Sequence, residues 1–204
     1  MNWINTEERY GKLSIGLHWV MLIVLVAVYA CMELHGYFPK GSAVRDGMKT
    51  WHYMLGLSVL VLVTFRLLTR SLGPHPGITP KPPAWQRHLA RSMHIALYVF
   101  MFGMPILGWL TLSAAGKPIP LFGLELPALV GLNKALARQI KEIHEIGSRI
   151  GYCLIGLHAT AGLVHHYVVR DNTLERILPW RRGGTSRPAS LNSATTARSG
   201  RGQH

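Results

Sequence analysis

The chain has 204 residues, 49% of them hydrophobic and only 15% charged, with 22 Lys and Arg against 9 Asp and Glu. So thin a charge over so much apolar side chain excludes an ordinary soluble domain and points to a membrane protein. The basic excess calls for no nucleic-acid partner, because it falls on the segments expected to flank membrane lipid.

Four stretches are apolar over the ~20 residues needed to cross a hydrocarbon core: 15–34, 51–68, 93–114 and 146–169. Residues 1–14 form an N-terminal segment ahead of them. The first stretch, IGLHWVMLIVLVAVYACM, follows Tyr10 and Lys12 and is not succeeded by a small-residue cleavage site, so it reads as a retained span. Turn chemistry marks the connections, GPHPGITPKPP after the second span and GKPIPLFGLELPALVG after the third. The last segment, 170–204, is basic and rich in Gly and Ser, and is expected to be a solvated tail, disordered beyond 181. The N-terminal segment, the loop after the second span together with Arg66 at that span's inner end, and the tail hold fourteen Lys and Arg, against seven in the other connections. Both termini are therefore expected in the cytoplasm. No internal repeat is visible. Cys31 and Cys153 fall within spans, read as buried free thiols, and lack the Cys-x-x-Cys-His pattern of covalent haem attachment. The expected fold is all-α, an integral membrane four-helix bundle with residues 15–169 as its transmembrane domain.

Histidines inside a bilayer are costly and mark an interior site. His18 lies early in the first span, His52 opens the second, and His144 and His158 stand fourteen residues apart in the fourth. That spacing returns to nearly the same helix face about 21 Å along the axis. Following the alternating helix directions, depth sorts them into an outer pair, His52 with His144, and an inner pair, His18 with His158. Two imidazoles without a carboxylate or thiolate companion suit a metal that brings its other ligands. Zinc would want four protein ligands, or three and a water; haem iron asks for axial ligands only. Gly16, Gly56, Gly147 and Gly151 near the pairs read as room for a flat group. The alternative is that each histidine is an interfacial or hydrogen-bonded core residue.

HW at His18 and Trp19, W-H-x-x-x-G from Trp51 to Gly56, KEIHE at 141–145, and GLHA, HHY and DNTL between Gly156 and Leu174 together resemble the bacterial cytochrome b561 family, and within it the superoxide oxidase (superoxide:ubiquinone oxidoreductase) branch. The resemblance spans about residues 9–180. It implies a four-helix protein of the bacterial inner membrane with two b-type haems, electrons passing from the outer haem to the inner. It further implies superoxide as donor, ubiquinone as acceptor, and His18, His52, His144 and His158 as the axial ligands, in the pairs that depth assigns.

Three further features bear on function. His94 opens the third span and reads as a non-ligand within reach of the inner haem or a quinone. His165 lies seven residues past His158, on the same face, and His166 about 100° away; with the helix C-terminus to stabilise imidazolium, they form the candidate quinone region, against an alternative of interfacial snorkelling. Arg66 follows His52 by fourteen residues, and so is expected to face the bundle at the inner haem's level and bind its propionates. Its alternative is snorkelling toward the headgroups beside Arg70. Two other readings of the whole stay open: a cytochrome b subunit relaying electrons from a partner dehydrogenase or hydrogenase to quinone, and a non-redox transporter or scaffold, which would hold no haem.

Overall fold

The structure is a computed structural model and describes residues 3, 5–7, 10–74, 76–80 and 82–179. Most of the basic tail, including the stretch expected to be disordered, lies outside the described residues, as do Arg9 and Lys81 of the charge count.

Four long helices form. Helix α1 (Lys12–Leu34) runs into a single 3-10 turn (His35–Tyr37), α2 covers Ala43–Ser71 and α3 covers Ala84–Ala114. A two-residue-per-strand hairpin, β1 (Pro120–Leu121) with β2 (Leu124–Glu125), interrupts the connection to α4 (Lys134–Val164), which ends in a π-helical turn (His165–Val169). The sequence reading did not anticipate the hairpin; Gly123 at φ 90 and Phe122 at φ 47 supply the left-handed corner it needs.

Local chemistry sets the helix starts. Ser42 and Asn133 cap α2 and α4, their side-chain oxygens accepting from Arg45 N at 3.3 Å and Leu136 N at 3.0 Å. Helix α1 begins at Gly11, which has no side chain to cap with; Asn5 substitutes, its Oδ1 accepting from Gly11 N at 3.0 Å and from Ser14 Oγ at 2.7 Å.

The first three helices are long and apolar enough to cross a membrane. The fourth expected span does form as a helix, but it begins well before residue 146 and is not apolar enough by composition. The physical reason is that positions 147, 151, 158 and 162 are histidine or glycine, and position 149 is arginine, where a simple span would carry aliphatic side chains. Cys31 is half-buried, whereas Cys153 is exposed on the outside of α4, not buried as expected.

Helices α1, α2 and α3 meet on a core of Met21, Val59, Val63, Leu97 and Met101. Outward they present large apolar side chains such as Ile23, Val26, Val61, Phe65, Ile95 and Val99, the surface a lipid environment accepts at no cost. Helix α4 rests on α3. Among the described residues, no Cα of α4 comes within 8 Å of one in α1 or α2. A gap therefore separates α4 from these two helices, and the histidines project into it.

Candidate functional site

The structure brings together the pairs that depth assigned. His52 from α2 and His144 from α4 have ring centroids 6.2 Å apart; at the other end of the gap, His18 from α1 and His158 from α4 stand at 6.4 Å. Two imidazoles bound on opposite sides of one iron, with metal–nitrogen bonds of about 2.0–2.1 Å and each ring centre about 1.1 Å beyond its nitrogen, are roughly 6.2–6.4 Å apart. Both pairs match that separation. His94 lies closer to His158, at 5.5 Å, too near to share an iron with it across a macrocycle, in keeping with its reading as a non-ligand.

The surroundings fit the same group. His52 Nδ1 lies 3.0 Å from the Val28 carbonyl oxygen, so that it donates there and leaves Nε2 free, the arrangement that orients a metal-binding imidazole. His144 Nδ1 is buried and makes no well-aligned hydrogen bond, with the Met104 carbonyl as its neighbouring acceptor. Among the described residues no three His, Cys, Asp or Glu side chains converge as a bare metal ion requires. Around His52 and His144 lies a cavity of about 550 Å³, walled by Gly56, Phe100, Met104 and Gly108 and collared by Lys117, Arg138 and Lys141 with Glu33 and Glu145. No Cβ contact would arise at Gly16 or Gly56, so there the expected room exists.

At Gly147 and Gly151 it does not. A Cβ on Gly147 would lie 2.6 Å from Met104 Sδ, and one on Gly151 would run into the Tyr29 hydroxyl and the Phe100 ring. These glycines admit neighbouring side chains rather than a cofactor. Tyr29 reaches across from α1 to donate to the Ser148 carbonyl at 2.9 Å and packs, tilted by 47° with ring centroids 4.3 Å apart, against Tyr152, which donates to Glu33 at 2.8 Å. Tyr29 and Phe100 thus partition the gap into two compartments. The sequence carried only one hint of them, the glycine midway between the two histidines of α4.

Arg66 is half-buried, its Nη1 donating to the Ser14 carbonyl at 3.4 Å, with the guanidinium in electrostatic reach of His18, His94 and His158. It faces the bundle, and among the described residues no carboxylate pairs with it. Of the last two histidines, His166 lies against Tyr167 at 4.8 Å. His165 instead pairs with a residue that sequence reasoning noted only within the DNTL motif and gave no role: its Nδ1 is 2.6 Å from Asp171 Oδ2. Burial alone would raise the Asp171 carboxyl, but the hydrogen bonds from His165 and Thr173 outweigh it and hold it below the usual carboxylate range.

Comparison with known proteins bears on this geometry. Residues 9–180 match the family model described as prokaryotic cytochrome b561. Cytochrome b561 homolog 1 of Escherichia coli K12 is 42% identical over 175 residues, covering 86% of this chain and 99% of that protein. Probable superoxide oxidase CybB of Yersinia pestis is 36% identical over 177 residues, covering 87% and 99%, and cytochrome b561 homolog 2 of E. coli K12 is 31% identical over 183 residues, covering 87% and 95%. A match over nearly the whole folded part, joined to paired imidazoles in a membrane-type helical bundle, makes the chain a member of the prokaryotic cytochrome b561 family, a multi-pass haem protein of the bacterial inner membrane.

Proposed function

We propose that the chain is a di-haem electron carrier that oxidises superoxide and reduces ubiquinone. The two imidazole pairs at one-iron separation carry this reading. His52 and His144 would hold one haem b, His18 and His158 the other, and Arg66 would bind the propionates of the second. Each haem supplies a one-electron iron couple when bound; the protein's own groups do the rest. Lys117 and Arg138 around the first compartment, with Lys141 there paired to Glu145, would attract a small anion, and the name of the Y. pestis relative supports superoxide as that anion. Tyr29 and Phe100 keep the compartments apart. At the other end, His165 and His166 provide protonatable groups for a quinone. In this reading both termini and the tail from 170 are cytoplasmic, residues 15–169 are the membrane domain, and the His52–His144 end is periplasmic.

The test has two parts. Pyridine haemochrome analysis should give two haems per chain, with His52→Ala or His144→Ala losing one and His18→Ala or His158→Ala the other; one haem in the unaltered protein rejects the assignment. Superoxide generated enzymatically should drive ubiquinone reduction by the purified protein. Two haems without that reaction would favour a subunit fed by a partner dehydrogenase instead.

A further inference from the structure

We propose that Asp171 is a positioning residue for quinone protonation, holding His165 so that its free ring nitrogen, Nε2, faces the quinone carbonyl. This rests on the reading that quinone is reduced at the His165 end.

The backbone makes the pairing by an unusual route. After Val164 the helix widens into the π-helical turn His165–Val169, and Arg170 adopts a left-handed conformation at φ 58. Such a turn is uncommon and recurs at functional sites, and a left-handed non-glycine residue is strained. Together they reverse the chain: Asp171 N donates to the His165 carbonyl at 3.1 Å, and the Asp171 carboxylate is laid on the ring of the residue six positions before it.

The carboxylate is held from several sides. Its Oδ1 accepts from Thr173 N at 2.9 Å. Asn172 exchanges hydrogen bonds with Thr79 of the loop between α2 and α3, receiving Thr79 N at Oδ1 at 3.0 Å and donating its own N at 3.3 Å. Trp19, beside His18, donates Nε1 to the Ile177 carbonyl at 2.8 Å. The segment is thereby tied to α1 and to the loop, so Asp171 has no freedom to swing away. Exposure separates the partners: the Asp171 side chain is 2% exposed and that of His165 24%. The carboxylate is the hidden orienting member and the imidazole the presented one, the division of labour in which an acid fixes a histidine's tautomer and stabilises its charged form.

The chemistry balances as follows. Quinone gains two electrons and two protons to become quinol; the electrons come from two superoxide ions, each oxidised to dioxygen, by way of the haems. Two O–H bonds form. His165 gives the first proton from Nε2–H and is reprotonated by water through its exposed edge, which permits the second delivery. Asp171 stays ionised throughout.

The test uses intact, haem-loaded protein in detergent, reduced with dithionite and mixed in a stopped-flow instrument with a short-tailed ubiquinone analogue. Haem reoxidation is followed in wild type, Asp171→Asn, Asp171→Glu and His165→Gln. Asp171→Asn should lower the limiting rate by about tenfold or more, as for a misaligned proton donor, with the half-saturating quinone concentration, haem content and haem spectrum unchanged. Asp171→Glu should recover most of the rate. If His165→Gln is slow and Asp171→Asn is not, the positioning role is wrong and the quinone reading stands. If His165→Gln reoxidises at the wild-type rate, the quinone reading at this end fails and takes the inference with it. Loss of haem or of thermal stability in Asp171→Asn, unrescued by Asp171→Glu in rate, would make the pair structural only and overturn the proposal.

Discussion

Gly151 stands opposite two side chains that arrive from different helices, Tyr29 of α1 and Phe100 of α3, and neither leaves space for a methyl group. Overpacking of this kind costs roughly 1–3 kcal/mol. Gly151→Ala should therefore lower the thermal midpoint of the haem-loaded protein. Because the Tyr29 hydroxyl is one of the obstructing atoms, adding Tyr29→Phe should recover part of the loss; the two effects simply summing would show that hydroxyl and methyl do not meet. Arg66 offers a second test at this scale. A positive charge beside a haem favours the reduced state, so if His18 and His158 hold a haem as proposed, Arg66→Leu should lower its midpoint potential and leave a haem at the other pair where it was. An unchanged redox titration would mean that the guanidinium serves only its protein partners, the Ser14 carbonyl and Tyr98.

Helix α4 differs from the other three in what secures it. Its backbone rests on α3 alone, and the rest of its hold is through side chains: Leu154 and Ile155 on the shared core, Tyr29 to Ser148, Glu33 to Tyr152, and the paired histidines. If haem iron joins those histidines, extracting the haem should raise hydrogen exchange in 144–162 well above that in 55–65 of α2, while equal change in both would argue that the cofactor does not tie α4 down. The same helix marks where sequence reading succeeds and stops. The histidine pairs were legible because a fourteen-residue spacing and alternating helix directions are one-dimensional facts. What fills the space beside Gly151 was not, since a glycine announces an absence and its occupants come from α1 and α3. Asp171 was in view as the first residue of DNTL, but its pairing was hidden for another reason: an ideal helix carries residue 171 away from His165, and only the π-helical turn with its left-handed Arg170 brings it back. The apolarity of α4 was overestimated because the residues that make it useful are those that dilute it.

At the scale of the molecule the two ends are chemically unlike. One opens through a cavity collared by Lys117, Arg138 and Lys141; the other is closed by the Asn5 cap, the loop after α2 and the segment that holds Asp171. Replacing the three collar residues together with Gln should slow haem reduction by superoxide at low ionic strength and matter progressively less as salt rises, because charges beyond a screening length of about 8 Å at physiological salt lose influence. A deficit independent of salt would point to a contact role instead of steering. The gap beside α4 also speaks to the order in which the protein is made. Helices α1, α2 and α3 supply the buried residues of a continuous apolar core, to which α4 adds only the partly buried Leu154 and Ile155, and α4 brings one imidazole to each pair and closes both compartments at once. A macrocycle bound for the His18–His158 pair and threaded between finished helices would have to pass the Tyr29–Phe100 partition or the capped end, but one delivered while α4 is still undocked meets neither. Biogenesis of this protein is then a matter of timing, with cofactor capture and the docking of the last helix as one event.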